Sequence, residues 1–168
     1  MKNAILIGLV CFPLFKLHES KSQVIQRNWS TAAVFTDTTR YAVLKLDSIP
    51  NYIFDKNYKP APLSDAEIIQ LEKLISKKVA EINKEERRGG HFKFDYVGNP
   101  RKYYKQFIAV VNLKGEKEVW VNCLCDIDNI SYFKKDIVLV LDGGSCYFNL
   151  KINLTKNTVY DLMINGVA

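Results

Sequence analysis

The chain has 168 residues, of which 48% are hydrophobic and 25% are charged. This length suits one domain with a hydrophobic core and is too short for two domains of ordinary size. The formal net charge of +6 favours contact with anionic surfaces. Because no cluster of base-reading or stacking groups accompanies this charge, the sequence carries no specific nucleic-acid signal.

The N-terminal residues have the pattern of a secretory signal peptide. A lysine precedes an apolar run from Ala4 to Phe15, which is too short to span a bilayer as a stable helix. Ser20 and Ser22 then provide small residues before a cleavage point. We therefore predict a signal peptide over residues 1–22 and a secreted or periplasmic single domain over residues 23–168, with no transmembrane helix. A buried N-terminal strand is the alternative interpretation.

The first strand signal lies before the proline-rich part of the chain. Tyr41–Asp47 alternates apolar and polar residues, which predicts a half-buried strand. Pro50, Pro60 and Pro62 then bracket an aromatic connection through which no helix can run.

The residues between Leu63 and Gly89 carry the signals of one long helix. Ser64 followed by Glu67 forms a capping box, and Gly89-Gly90 provide a left-handed stop. Apolar residues recur at three- and four-residue steps, which predicts a helix face packed against a sheet. The residues of this face are Ile68, Leu71, Ile75, Val79 and Ile82.

Further strand-like segments follow the helix, with turn residues between them. They are Tyr103–Asn112, Glu118–Cys125, Ile137–Leu141, Cys146–Asn153 and Thr158–Ile164. The turn sequence Asp142-Gly143-Gly144-Ser145 predicts that the third and fourth of these segments form a hairpin. The element order predicts an α+β domain in which one long helix packs against a curved antiparallel sheet of four to six strands.

This element order resembles the cystatin-like and nuclear-transport-factor-like architectures. Where cystatins carry a Gln-x-Val-x-Gly loop, the hairpin tip here reads Asn112-Leu113-Lys114-Gly115, so the resemblance implies the fold and not protease inhibition. The C-terminal block, Val119–Cys125 with Asp142–Phe148, resembles that of small uncharacterised exported bacterial proteins. That resemblance implies export and no particular activity.

Three cysteines follow the predicted cleavage point: Cys123, Cys125 and Cys146. We expect all three on apolar faces, mainly as buried packing groups, and one disulfide from Cys146 to Cys123 or Cys125 is the alternative. A disulfide requires neighbouring strands, and a meander would place Ile137–Leu141 between the cysteines. The Cys-x-Cys spacing lacks both the fourth ligand of a zinc site and the helix N-terminus of a redox Cys-x-x-Cys site.

Signals for catalysis are weak in the remaining sequence. His91 has no nucleophile motif beside it and is interpreted as a loop histidine. Asp126 and Asp128 lack the glycine and the distal glutamate of a calcium loop. The sequence therefore predicts no catalytic, cofactor-binding or metal-binding residue.

Basic and aromatic residues flank the loop after the helix and form the candidate binding cluster. Its members are Arg87, Arg88, Arg101, Lys102, Tyr103 and Tyr104. Such interleaving suits stacking and anion binding, although a helix end followed by a strand entry gives the same pattern. We expect an exported, non-catalytic binding or accessory module that contacts another exported protein or an anionic surface. An enzyme or small-ligand carrier with a pocket between helix and sheet stays open as the alternative.

Overall fold

The computed structural model describes residues 38–45, 47, 49–88 and 96–166. The predicted signal peptide, the glycine stop and His91 lie outside these residues. The elements in chain order are β1 (Tyr41–Val43), β2 (Lys59–Pro60), α1 (Asp65–Arg88), β3 (Tyr104–Val111), β4 (Lys117–Leu124), α2 (Ile130–Phe133), β5 (Tyr147–Asn153) and β6 (Thr158–Ile164).

Helix α1 begins with the predicted capping box. The Ser64 N–H donates to Glu67 Oε2 at 2.8 Å, and the Glu67 N–H donates to Ser64 Oγ at 3.3 Å. The predicted apolar face is buried against the sheet as far as Val79. The next buried position is Asn83 and not Ile82, because the buried stripe continues along the four-residue row of the helix.

The described strands form a mixed six-stranded sheet in the order β1-β3-β4-β5-β6, and β2 also pairs with β3. The prediction of a purely antiparallel sheet is therefore wrong at one edge. Strand β1 runs parallel to β3, because the connection through α1 returns the chain beside its own start. Strand β1 is also shorter than the predicted Tyr41–Asp47 and ends at Val43. The architecture is α+β, with one long helix over a sheet that does not close.

Both faces of the sheet are covered. One face packs on α1 through the helix residues named above and through inward side chains such as Phe107, Phe148 and Leu150. The other face carries Ile108, Trp120 and Leu124, which are covered by residues from the connection before the helix and from the α2 region. The central strands β3 and β4 are therefore buried on both sides, as the doubly apolar sequence of β3 predicts.

The segment Ile137–Leu141 is not a strand of the sheet, so the predicted hairpin with Cys146–Asn153 is wrong. Strand β5 pairs directly with β4 instead. The segment lies across the outer face of the sheet, where Gln106 Oε1 accepts from the Val138 N–H at 2.9 Å and Asn122 Nδ2 donates to the Val138 carbonyl at 2.7 Å. These two sheet residues satisfy backbone groups that a neighbouring strand would otherwise pair.

The direct pairing of β4 with β5 decides the arrangement of the cysteines. Cys125 and Cys146 form a disulfide, with their Cα atoms 5.0 Å apart. Cys123 is a free thiol, and burial raises its pKa to about 12. The expectation that all three cysteines lie on apolar faces is wrong for Cys125, which is exposed because β4 ends at Leu124.

None of the helices among the described residues is long and apolar enough to cross a membrane. Helix α1 has the length for a bilayer but carries charged residues throughout its sequence. Its buried apolar residues form a single stripe that packs against the sheet.

Candidate functional site

A cleft of about 430 Å³ lies between the C-terminal half of α1 and the loop that leads into β3. We call it the basic cleft. Its helix wall consists of Ser76, Val79, Ala80, Asn83 and Arg87, and its loop wall consists of Tyr96, Val97, Gly98, Asn99, Pro100 and Arg101. The helix residues recur at three- and four-residue steps, so they form one continuous stripe along α1.

Asn83 holds the two walls together. Its Nδ2 donates to the Val97 carbonyl at 2.8 Å, and its Oδ1 accepts from the Val97 N–H at 3.0 Å. The side-chain amide thus pairs with Val97 as a neighbouring strand would. Both residues are buried, so these hydrogen bonds are shielded from water and fix the loop to the helix.

The loop is also fixed from the sheet side and within itself. The Tyr103 hydroxyl donates to the Ser145 carbonyl at 2.9 Å and accepts from the Gly98 N–H at 3.3 Å. Burial raises the pKa of Tyr103, so its hydroxyl stays protonated. Asn99 Oδ1 accepts from the Arg101 N–H at 3.0 Å and sets the direction of the short 3-10 turn Pro100–Lys102. Asn83 and Tyr103 therefore hold the loop wall against the rest of the fold, and Asn99 stabilises the turn within it.

Two arginines line this cleft from opposite walls. Arg87 comes from the last turn of α1, where its Nε donates to the Asn83 carbonyl at 3.1 Å, and Arg101 comes from the 3-10 turn. Both residues are exposed. The described residues that line the cleft include no aspartate or glutamate, so none of them balances the two cationic charges.

The structure divides the cluster predicted from the sequence. Arg87 and Arg101 line the basic cleft, whereas Arg88 and Lys102 are exposed outside its lining. Tyr103 is buried on the helix side of the sheet. Tyr104 lies on the opposite side, where its ring meets Phe133 with the centroids 5.7 Å apart and Arg40 stacks over it. Neither predicted tyrosine presents a ring to the cleft.

Tyr96 provides the aromatic ring that the sequence analysis missed. It lines the cleft and is 54% exposed, so its ring is accessible to a ligand. Asn83 was also missed, although a polar residue on the apolar stripe near the end of a helix is a usable signal. Such a residue at a buried position needs a hydrogen-bonding partner, and here that partner is the loop.

A second cleft, of about 450 Å³, lies at the turns of the two hairpins and contains Glu116 and Glu118. Glu118 Oε1 accepts from Asn112 Nδ2 at 2.7 Å, and its Oε2 accepts from the Tyr160 hydroxyl at 2.6 Å. Glu116 Oε1 pairs with Lys156 Nζ at 2.6 Å. The sequence analysis did not identify this acidic pair, which depends on two turns distant in sequence.

The second cleft is better explained as a hydrogen-bond network that stabilises two turns than as a catalytic site. Hydrogen bonds from Lys156 and Asn153 lower the pKa of Glu116 to about 2, so it is ionised at neutral pH and cannot serve as a proton donor. Burial and the hydrogen bond to Glu118 raise the pKa of Tyr160, so it is not a base at that pH. The network joins the β3–β4 turn to the β5–β6 turn.

Within the described part of the chain, no group of three or more histidine, cysteine, aspartate or glutamate side chains is placed to hold a metal ion. No family model, curated protein or solved structure matches this chain.

Proposed function

We propose that this protein is a non-catalytic binding module that holds a small anionic ligand in the basic cleft. The observation that carries the proposal is the convergence of Arg87 and Arg101, from separate elements, on a cleft whose described lining has no acidic side chain. A guanidinium group binds carboxylate or phosphate oxygens with two parallel hydrogen bonds. Two such groups on opposite walls suit one anionic group placed between them.

The size and the rim of the cleft suit a small ligand. Its volume of about 430 Å³ falls within the range of roughly 300–1,000 Å³ found for small-molecule pockets. Ser76 and Ala80 have small side chains, which leave room for a ligand beside the helix. The exposed ring of Tyr96 offers an apolar surface next to the two arginines. We infer a ligand with a carboxylate or phosphate group attached to a flat, partly apolar body.

The cleft favours binding over catalysis. Its described lining contains no cysteine, histidine or carboxylate, so none of these residues could act as a base for the Ser76 hydroxyl. The enzyme or carrier alternative requires a pocket between helix and sheet, and there Ile68, Leu71, Ile75 and Val79 are at most 4% exposed. That interface is occupied by packed side chains along these four positions, and the basic cleft lies at its end.

Replacing either cleft arginine should weaken the binding of a small anion. We expect Arg87→Gln and Arg101→Gln each to raise the dissociation constant for citrate about ten-fold, because each removes a charge-assisted hydrogen bond. Isothermal titration calorimetry with citrate and with inorganic phosphate at low salt measures this change. Arg101→Lys should restore only part of the affinity, because an ammonium group cannot form the two parallel hydrogen bonds.

Arg88→Gln is the matched control, because Arg88 is an exposed arginine next to Arg87 that does not line the cleft. We expect this variant to bind citrate within about two-fold of the unmodified protein, since diffuse attraction between exposed charges is weak and screened by salt. Equal losses for Arg88→Gln and Arg87→Gln would mean that only net charge matters. No binding of either anion by the unmodified protein would contradict the proposed function.

We further propose that the protein is exported and that cleavage occurs after Ser22. The apolar run of the N-terminal residues and the disulfide between Cys125 and Cys146 both support an oxidising compartment. Intact-mass analysis of the protein from its own host should show a chain that begins at Gln23, and a retained Met1 would contradict export by this route.

The succession of a long helix and strands β3 to β6 supports the cystatin-like resemblance as a proposal about the fold.

A further inference from the structure

The disulfide between Cys125 and Cys146 closes one end of the strand pair β4–β5. Cys125 directly follows β4 and Cys146 directly precedes β5, so both lie just beyond the paired residues Leu124 and Tyr147. The Cys125 N–H also donates to the Cys146 carbonyl at 2.9 Å. The ends of paired strands open more readily than their centres. The covalent bond therefore holds the start of β5 against β4 at the position where the pair would otherwise open first.

A short series of hydrogen bonds connects the start of β5 to the basic cleft. Ser145 precedes Cys146, and its carbonyl accepts from the Tyr103 hydroxyl at 2.9 Å. The same hydroxyl accepts from the Gly98 N–H at 3.3 Å, and Gly98 lines the cleft. The Tyr103 ring also meets Phe148 of β5 edge-on, with the centroids 5.3 Å apart. Tyr103 therefore takes its position from residues on both sides of Cys146 and holds the loop wall in turn.

The turn that carries Ser145 has little rigidity of its own. Gly143 and Gly144 precede Ser145 and have φ values of 84° and 57°, a region that glycine adopts without strain. Glycine also loses more conformational freedom than any other residue when it is fixed. The Gly144 N–H donates to the Gly166 carbonyl at 2.9 Å, and the disulfide fixes the other end of the turn. Opening the disulfide therefore releases the end of the turn that is nearest Ser145.

The disulfide is accessible to small redox reagents. Cys125 is exposed and Cys146 is half-buried, so a thiolate can attack the bond. A dithiol transfers two electrons and two protons to the pair, which leaves two cysteine thiols and a cyclic disulfide. Oxidation by a low-molecular-weight disulfide reverses this transfer and releases two small thiols. Cys123 is fully buried, and burial raises its pKa to about 12, so it does not take part in the exchange.

We propose that this disulfide regulates the basic cleft, which binds its anion tightly only in the oxidised chain. This regulation presupposes the proposed function and acts on the same site. In the reduced chain Ser145 loses its fixed place, so the Tyr103 hydroxyl no longer holds the Gly98 N–H. Arg101 lies three residues after Gly98 in the same loop wall, and its distance from Arg87 is then no longer set. Two arginines at a variable distance bind one anion less tightly, because binding must first order them.

Isothermal titration calorimetry with citrate on the full chain measures the regulation. We expect reduction by dithiothreitol to raise the citrate dissociation constant at least about five-fold, the lower end of couplings between distinct sites. Dithiothreitol is uncharged, so it does not compete for the arginines. The double variant Cys125→Ser with Cys146→Ser should bind like the reduced protein and should not respond to dithiothreitol, which excludes effects at other cysteines. Equal affinities of the oxidised and reduced protein would overturn the proposal.

Hydrogen exchange at the Gly98 amide tests the coupling without any ligand. We expect reduction to speed this exchange at least about ten-fold, whereas the amide of Phe107, fully buried in β3, should stay protected. Unchanged exchange at Gly98 would overturn the proposal. Equal losses of protection at both amides would also overturn it, because they would mean general unfolding. Faster Gly98 exchange in a protein that binds no citrate would support the coupling and contradict only the proposed function.

Tyr103→Phe separates this series of hydrogen bonds from any other route, because it removes the hydroxyl and keeps the ring against Phe148. The oxidised variant should bind citrate about as weakly as the reduced unmodified protein, and dithiothreitol should then change its affinity less than about two-fold. Tyr52→Phe is the matched control, because Tyr52 is 66% exposed and does not line the cleft. A full redox response in Tyr103→Phe, or its loss in Tyr52→Phe, would overturn the proposal.

Discussion

Leu71→Ala is expected to lower the free energy of unfolding by about 2–5 kcal/mol, the range for truncating a fully buried leucine. Leu71 is 0% exposed and lies in the middle of the α1 stripe, between Ile68 and Ile75, against the sheet. The loss combines the transfer of the leucine side chain with a cavity that the rigid sheet cannot fill. Since domains of this size are stable by about 5–15 kcal/mol, the change should be large.

Urea denaturation followed by circular dichroism measures this loss, and Leu113→Ala is its matched control. Leu113 is 74% exposed at the β3–β4 turn, so its truncation should change the unfolding free energy by less than about 0.5 kcal/mol. A loss below about 1 kcal/mol in Leu71→Ala would mean that this helix face does not pack as described. Equal losses of unfolding free energy in both variants would mean that the leucine-to-alanine change acts independently of burial.

The parts of the fold that follow from local chemistry could be predicted from the sequence. The capping box of Ser64 and Glu67, and the apolar stripe from Ile68 to Val79, depend on residues three and four apart, so they can be recognised without tertiary information. The two-sided burial of β3 follows in the same way from a continuous apolar sequence.

The misplacement of Ile137–Leu141 shows what local pattern cannot supply. Its alternating β-branched sequence is that of a strand, but the structure places it outside the sheet. Its partners, however, are the side-chain amides of Gln106 and Asn122, which lie on other strands and are distant in sequence. The prediction for the cysteines was wrong for the same reason, because it placed Ile137–Leu141 as a strand between Cys125 and Cys146.

The candidate site was predictable in its charges but not in its geometry. Arg87 and Arg101 were identified from the basic and aromatic residues that flank the loop after the helix, yet nothing in their spacing shows that they line one cleft. That arrangement depends on Asn83, whose side chain binds Val97 across a loop. Buried amides at Asn83, Gln106 and Asn122 therefore determine the positions of the irregular segments in this fold, and each would have appeared in the sequence only as a polar residue in an apolar context.

A buried ion pair links α1 to β3. Lys105 Nζ lies 3.0 Å from Glu72 Oε1, and the two side chains are 4% and 12% exposed. Glu72→Gln would remove the negative partner and leave the Lys105 ammonium group buried without a counter-charge. We expect this variant to lose about 3–5 kcal/mol of unfolding free energy, the usual cost of breaking a buried pair from one side. Urea denaturation at neutral pH measures the loss.

Two further variants distinguish the burial of the charge from the loss of a favourable contact. The pair Lys78–Glu81, 4.0 Å apart and 34% and 48% exposed, is the matched control, and Glu81→Gln should change stability by less than about 1 kcal/mol. The double variant Lys105→Met with Glu72→Leu removes both charges and should be nearly as stable as the unmodified protein, or more stable. If Glu72→Gln were as mild as Glu81→Gln, water would have to reach Lys105. If instead the double variant lost as much as Glu72→Gln, the attraction between the charges would itself hold α1 on the sheet, because hydrophobic packing would then have failed to replace it.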